Sequence, residues 1–332
     1  MVIKKIKPIF KIIADNKDIT DLISQRLISL NITDETGIVS DKAEILLDNR
    51  DSALEIPNTG AVLKISIGTQ GKDLNSMGSY VVDTIELMSP SLKMRIIAKA
   101  VNGKIKNLNS KIRSPKSRSW HEYSLIGIIE KIAKEHEFQA VIDKEFDQIF
   151  IQHIDQTDES DISFLSRLAS DYDAFTKFID DKLIFIKKGT GTSISGIEMP
   201  QTEINELEIT NWHFSISGRN KFGKVTAKWH DFSEGKEKAI SIGIEEPVYA
   251  IRYIFATQDR ALEAAKAKLA EFQRGIKKLN ILVSGNPNLT AESNIIISGV
   301  KYLKDQIWII TNVTHDISDQ GYITSLSAIL KS

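Results

Sequence analysis

Apolar residues recur at every second position near both ends of the chain and at three- and four-residue spacing in its middle. That change of period limits the fold more than any other feature of the sequence. In the first hundred residues, Ala61-Val-Leu-Lys-Ile-Ser-Ile-Gly68 and Met94-Arg-Ile-Ile-Ala-Lys-Ala-Val101 alternate or carry β-branched side chains. The segments Asp48-Asn-Arg-Asp51, Pro57-Asn-Thr-Gly60 and Gly71-Lys-Asp73 supply turn chemistry around them. Nothing there keeps a helical period over three turns, so an antiparallel barrel or sandwich is predicted.

A polar stretch from Asn102 to Ser119 breaks the pattern and marks a boundary. Beyond it, Leu125, Ile128, Ile129, Ile132 and Ala133 share one helical face, with Ser124 placed to cap. A second helix carries Ile162, Leu165, Leu168, Ala169 and Tyr172, and the strand Lys182-Leu-Ile-Phe-Ile-Lys187 follows, closed by Lys188-Gly-Thr-Gly-Thr192. From Ile204 onward strands return at Lys224–Trp229, Leu279–Val283, Asn294–Ile297 and Gln306–Thr311. One helix interrupts them: Leu262, Ala265, Leu269 and Phe272 share a face, and Gly275 stands where a left-handed cap would sit. The expected division is a β-domain over 1–109, a small α+β domain over 110–192, and a second β-domain over 193–332 with a helix inserted at about 258–274.

The two β-rich ends share features at a nearly constant offset of about 230 residues. Ile65-Ser-Ile-Gly68, Tyr80–Leu87 and Lys93–Val101 are matched by Ile295–Gly299, Ile310–His315 and Tyr322–Leu330. A duplicated domain leaves such a trace, and so does a chance alignment of two β-meanders. Under duplication Gly68 falls near Gly299 and Val82 near Asn312.

Chemistry is hard to find. The chain has no cysteine, which excludes disulfides, zinc–thiolate sites and a thiol nucleophile. Forty-three Lys and Arg against 44 Asp and Glu argue against a dedicated nucleic-acid binder. Apolar runs stop at about five residues, well short of the roughly 20 that span a membrane. His121-Glu122 and His136-Glu137 lack a second histidine four residues on. His153, His230 and His315 lie near aspartates but in separate regions, and there is no Gly-x-Ser-x-Gly. The acidic run Asp155–Asp161 has Ser160 and Ser166 where a calcium loop needs Gly and Glu, so it reads as a helix start capped by Thr157 or Ser160. Gly189-Thr-Gly191 and Gly68-Thr-Gln-Gly-Lys72 read as turns. A carboxylate pair for glycoside cleavage is a spatial matter that spacing neither supports nor excludes. No cofactor, metal or catalytic residue is expected.

The segment His153-Ile-Asp-Gln-Thr-Asp-Glu-Ser-Asp-Ile-Ser-Phe-Leu-Ser-Arg-Leu-Ala169 resembles the late control gene D family of contractile phage tails. The matching positions are His153, Asp155, Gln156, Thr157, Asp158, Glu159, Ser160, Asp161, Phe164, Leu165, Arg167 and Leu168. In that family an aspartate-containing turn and a strand come next, as Asp180-Asp-Lys-Leu-Ile-Phe185 does here. Trp120 and the Ser124–Phe138 helix precede it, and the motif lies in a small middle domain. Ala261–Gly275, Gly285-Asn-Pro-Asn-Leu289, Ser298-Gly299, Val313-Thr-His315 and Gly321-Tyr-Ile-Thr324 are similar to the family's C-terminal barrel. The resemblance is specific from about Trp120 onward and only compositional before Pro90.

This resemblance implies two tail-tube-like β-barrels and a structural hub that is not an enzyme. It also implies a homotrimer whose six barrels continue a sixfold tube and seat a threefold spike, as in the hub part of type VI secretion spike proteins. Partners implied are the tube protein, a spike, the tape-measure protein and baseplate wedge proteins, in a virion tail made in the bacterial cytoplasm. Because the chain reaches Ser332 without a short-period repeat, the spike is expected to be a separate polypeptide. The alternatives weighed are a tail-tip peptidoglycan hydrolase, which needs a carboxylate pair in a cleft, and a carbohydrate-binding adhesin, which needs exposed aromatics.

Overall fold

The computed structural model describes residues 7–37, 41–100, 111–179, 181–189, 201–218 and 221–331. The chain opens with β1 (Pro8–Ala14), β2 (Lys17–Asp18), α1 (Thr20–Ser24), β3 (Leu27–Glu35), β4 (Lys42–Asp48), β5 (Val62–Thr69), β6 (Asn75–Met88) and β7 (Lys93–Ala100). Next come β8 (Pro115–Ser124), α2 (Leu125–Glu135), β9 (Gln139–Ile142), β10 (Phe150–Ser160), α3 (Asp161–Asp171), β11 (Ala174–Ile179) and β12 (Lys182–Lys187). The remainder holds β13 (Gln201–Asn205), β14 (Ile209–Ile216), β15 (Lys224–Asp231), β16 (Lys236–Gly243), β17 (Val248–Phe255), α4 (Gln258–Gly275), β18 (Lys277–Ser284), β19 (Asn294–Ser298), β20 (Ile307–Ser318) and β21 (Gly321–Leu330). The fold is mainly β, and it forms two compact units. The first takes residues 1–107, 200–214 and 279–328, and the second takes 108–199, 215–278 and 329–332.

In the first unit one continuous sheet runs β2-β1-β5-β6-β7-β4-β3-β20-β21-β18-β14, with β19 on β20 and β13 on β19. It contains one strand pattern twice, β1-β5-β6-β7-β4-β3 and β13-β19-β20-β21-β18-β14. The strands of each copy take the same places in the same chain order. Register agrees too: Ile65 faces Gly78 and Ile295 faces Trp308, each partner 230 residues on. Val82 and Asn312 are therefore equivalent, as duplication requires. The copies differ at one edge, since β1 is antiparallel to β5 while β13 is parallel to β19.

Alternation fixes which face each strand buries. Ile12, Leu30, Ile32, Ile45, Ile65, Ile67 and Met94 come from five different strands and share one core, so the sheet of the first copy curls around it. Each such side chain contributes about 1.5–3 kcal/mol through burial. The long strand β20 joins the copies. Its start pairs with β19, at Asn294 opposite Ile309, and its remainder pairs with β3, from Asn312 opposite Glu35 to Ser318 opposite Ser29. Ile317 at its end, with Tyr322, packs into the core of the first copy.

In the second unit β8 and β10 form an antiparallel ribbon, and β11-β12-β9 form a small sheet whose β9–β12 pair is parallel. Helix α2 buries Leu125, Ile128, Ile129, Ile132 and Ala133, and Ser124 accepts from the Gly127 N–H at 3.0 Å. A third sheet, β16-β15-β17, carries α4 on one face, with Val225, Ala227, Phe255, Ala261, Ala265 and Phe272 between them.

Several expectations change. Residues 215–278, expected inside the second barrel, fold with the middle segment, because β14 and β18 can be neighbours with any length of chain between them. Helix α3 buries Phe164 where Ile162 was expected, and Asp161 and Asp171 are buried as well. Gly275 is the last helical residue and Ile276 follows in right-handed geometry, so no left-handed cap forms. Strand β8 runs through the second half of the expected polar boundary. Only Trp120 on it is buried, which is why alternation did not reveal it. Residues 101–110, Asp180 and residues 190–200 lie outside the described residues, and with them part of that boundary and of the glycine turn.

Candidate functional site

The motif from His153 to Leu168 spans the end of β10 and the first two turns of α3, and β8 lies alongside. A bulge between Gln156 and Glu159 lets the chain leave the ribbon and enter the helix, with Asp158 at φ 47°. Asp158 holds this corner by accepting from the Ser117 hydroxyl at 3.0 Å, while its own N–H donates back to that oxygen at 3.0 Å. Ser160 is the cap, accepting from the Ser163 N–H at 3.2 Å. Thr157 is exposed and takes no part in capping.

Asp161 is the centre of the arrangement. Its side chain is fully buried, and its carboxylate accepts from Lys116 at 2.5 Å, Arg118 at 2.6 Å, Gln156 at 2.8 Å and His136 at 2.7 Å. Burial by itself pushes this carboxyl upward. The bonds from His136, Lys116 and Gln156 and the charge of Arg118 outweigh that and hold it well below the usual carboxylate range. Glu135 completes the group from the end of α2, at 3.0 Å from Lys116 and 2.7 Å from Arg118. Two cations thus meet two anions, and four segments of chain are tied at one point.

The apolar half of the motif packs on the other side of Arg118. Trp120 stacks on Phe164 with centroids 6.0 Å apart, and the Arg118 guanidinium lies 4.4 Å from the Trp120 ring. Leu165 and Leu168 are buried. Arg167 donates to Glu159 at 2.7 Å and to the Asp155 carbonyl at 2.8 Å, and so clamps the helix to the strand that leads into it. His153 stacks on His121, their Nδ1 atoms 3.0 Å apart, and its Nε2 lies 3.1 Å from Asp155. Asp155 also accepts from Ser119 at 2.5 Å, and that bond, ahead of the histidines, lowers its carboxyl. Ser119 thus donates to a carboxylate and not to an imidazole. The twelve motif positions run along β10, through its bulge and into the first turns of α3.

Glu135, His136 and Asp161 each offer a ligand atom within 4.8 Å of the others. Both carboxylates are engaged by Lys116 and Arg118, so a divalent cation would have to displace two positive side chains.

Two buried pairs escaped the sequence reading. Arg260 meets Asp171 at 3.0 Å, and Arg274 makes a two-pronged bond to Asp173, one arm at 2.8 Å. They join the end of α3 to α4 and account for the folding of 215–278 with the middle segment. Burial raises the Asp171 carboxyl, against the lowering effect of Arg260. Only the acidic spacing Asp171-Tyr-Asp173 hinted at them.

The C-terminal residues singled out from sequence also gather. His315 and Thr324 are buried, and the His315 Nε2–H donates to the Leu289 carbonyl at 3.2 Å. Its Nδ1 therefore accepts, from the Tyr322 hydroxyl at 2.9 Å and Thr324 at 3.2 Å. Desolvation pushes this imidazole down to about 4. Gly285 lies against the Tyr322 ring so closely that a Cβ there would be 2.0 Å from the Tyr322 Cδ1. This knot locks the loop before β19 onto β20 and β21, and it offers no surface to a substrate.

A cleft of about 770 Å³ in the first unit is lined by Lys72, Asp73, Asn75, Glu208, Asn286 and Asn288 among others. Glu208 is already engaged there, accepting from the Asn205 N–H at 3.0 Å in a capping box. Among the described residues no helix is long and apolar enough to cross a membrane.

Comparison with known proteins gives three findings. A family model described as "Phage tail baseplate hub (GPD)" matches residues 110–321. The chain is 30% identical over 361 residues to the "Probable baseplate hub protein" of Escherichia phage P2, covering 96% of this chain and 92% of that protein. Among solved structures, the 43 kDa tail protein of prophage MuSo2 from Shewanella oneidensis has the same fold, with a TM-score of 0.68 at 12% identity over 97% of this chain and 98% of that one.

Proposed function

The chain belongs to the phage tail baseplate hub family, and on that premise we propose that it closes into a homotrimeric ring at the base of a contractile tail or tail-like injection particle. In this reading three chains supply six barrels, which continue a sixfold tail tube on one side and seat a threefold spike on the other. The duplicated strand pattern is the observation that carries it. A chain with two barrels of one topology and one register matches sixfold symmetry in threes. The second unit is itself held rigid by the Asp161 cluster and the two buried arginine pairs.

Tube protein, spike, tape-measure protein and wedge proteins are its partners in this reading, and its place is the virion tail. The formal net charge of −1 permits a channel wall with few net positive charges, so a passing duplex is not held by its phosphates. The activity is geometric, and no observation favours peptidoglycan cleavage. Stoichiometry tests the proposal. Mass measurement of native tails, or a reconstruction at the baseplate, is expected to count three copies. Six copies or one would overturn it.

A further inference from the structure

The β8–β10 ribbon carries a second group of titratable side chains on the face turned away from the Asp161 cluster. Over Arg118–His121 and Gln156–His153 the strands pair residue for residue, with His153 opposite His121, Ile154 opposite Trp120, Asp155 opposite Ser119 and Gln156 opposite Arg118. Trp120, Ile154 and Gln156 are buried. Alternation therefore sends the two histidines, Asp155 and Ser119 to the other face. There Ser119, His121 and Asp155 are exposed and His153 is half-buried. Among the described residues, no Lys or Arg side chain bonds either ring or the Asp155 carboxylate.

Hydrogen bonding fixes which nitrogen of His153 is able to coordinate. An ionised carboxylate only accepts, so the His153 Nε2, 3.1 Å from Asp155, carries the proton and Nδ1 keeps a lone pair. Asp155 is held in its ionised form first by the Ser119 hydroxyl, which donates to it at 2.5 Å, and then by the histidines. The His153 lone pair faces the Nδ1 of His121 at 3.0 Å. Two nitrogens each about 2.0–2.1 Å from one ion lie roughly 2.8–3.4 Å apart as the angle between them opens from a right angle to the tetrahedral value. The spacing on the ribbon falls inside that window. His153 also has the partner that metal-bound imidazoles usually have. A carboxylate on its far nitrogen fixes ring and tautomer and makes the near nitrogen more basic.

We propose that His121 and His153 bind a first-row divalent cation such as zinc, nickel or copper through their two Nδ1 atoms, with Asp155 and Ser119 orienting His153 and water filling the remaining positions. Imidazole selects this class over magnesium and calcium, which take oxygen ligands. In the free pair the His121 Nδ1–H donates to the His153 Nδ1. On binding, that proton passes to the His121 Nε2, so both Nδ1 lone pairs go to the ion and the neutral pair loses no proton. The rings lie 27° from parallel, and a turn of the exposed His121 side chain aims its nitrogen at the ion. The site differs from the Glu135, His136 and Asp161 group, whose carboxylates are already taken by Lys116 and Arg118. Its consequence is mechanical. Strands β8 and β10 pair only with each other among the described residues, and one histidine from each would hold the ion. The ion cross-links the ribbon on the side that the Asp161 cluster does not reach, and binding that requires the folded ribbon stabilises it by mass action.

This site does not depend on the ring proposed above. Full-length protein prepared without a histidine tag, titrated with Ni²⁺ or Zn²⁺ in a calorimeter, is expected to take up one ion per chain at the site. His121→Ala and His153→Ala are each expected to abolish that binding, and Asp155→Ala to weaken it about tenfold. His230→Ala, on another sheet, is expected to leave it unchanged. Bound Cu²⁺ is expected to show two imidazole nitrogens in its electron paramagnetic resonance spectrum. The ion should raise the melting temperature of the parent and not that of His121→Ala, which without the ion should melt as the parent does. A parent that binds no ion, binding that survives both histidine substitutions, or a copper spectrum with one nitrogen would overturn the site and leave a hydrogen-bonded histidine pair. Parental affinity in Asp155→Ala would overturn the positioning role of Asp155.

Discussion

Asp161→Asn tests whether the family motif is a brace. Asparagine keeps the volume and one carbonyl oxygen, but it removes the charge that Lys116 and Arg118 share and turns an amide N–H₂ toward a set of donors. Removing one side of a buried ion pair costs about 3–5 kcal/mol. Glu135 stays within 3.0 Å of both cations, which themselves keep some contact with water. That compensation lowers the expected loss to about 2–3 kcal/mol. For a unit of this size the melting temperature falls by roughly 4–12 °C. Urea and thermal unfolding followed by tryptophan fluorescence measure it, with Trp120 reporting from within the cluster. Glu135→Gln, at the exposed rim, is expected to cost under about 1 kcal/mol. The pH dependence gives a second readout. The folded carboxyl of Asp161 lies below its unfolded value near 3.9, so its stabilisation is complete above about pH 4 and is lost as the pH falls further. Asp161→Asn should lack that acid-side loss. A variant within about 0.5 kcal/mol of the parent at neutral pH would refute the brace.

Three further outcomes are expected. The His315 imidazole is pushed down to about 4 by desolvation while the unfolded value is about 6.5, so the unfolded chain takes up the proton first. Stability should then fall by on the order of 3 kcal/mol between pH 6.5 and 4, and His315→Gln should flatten that slope in urea titrations across the range. Ser160→Ala should destabilise by about 1 kcal/mol and Thr157→Ala by nearly nothing, because only Ser160 bonds the first turn of α3; equal losses in thermal melts would contradict the capping assignment. Arg274→Met leaves Asp173 buried without its cation and should cost about 3–5 kcal/mol, with much of the loss recovered when Asp173→Asn is added. A double-mutant cycle showing no coupling would count against the pair as the link between α3 and α4.

The sequence by itself determined what depends on near neighbours. The five-residue apolar face of α2 and its Ser124 cap could be named because helical period and capping act within about four residues. Ser160 was one of two candidates for the α3 cap for the same reason, and α4 was found by period, although its expected glycine cap did not form. The 230-residue recurrence was legible because both copies keep strand spacing and register. The family motif was recognised, but its role was not, since a run of acids does not reveal which cations will meet it. Strand β8 stayed hidden because a two-stranded ribbon with one buried residue leaves no alternation to read.

Tertiary structure decided everything that joins distant parts. Arg274 and Asp173 are 101 residues apart, and nothing in either neighbourhood demands the other. The allocation of residues 215–278 to the second unit follows from such pairs and from the sheet that α4 covers, not from chain order. Likewise, alternation told β20 which of its faces to bury but not which strands to lie beside. That choice was made by backbone bonding and by the fit of Ile317 against Leu30. Both are free energies of contact between segments that the chain itself leaves far apart.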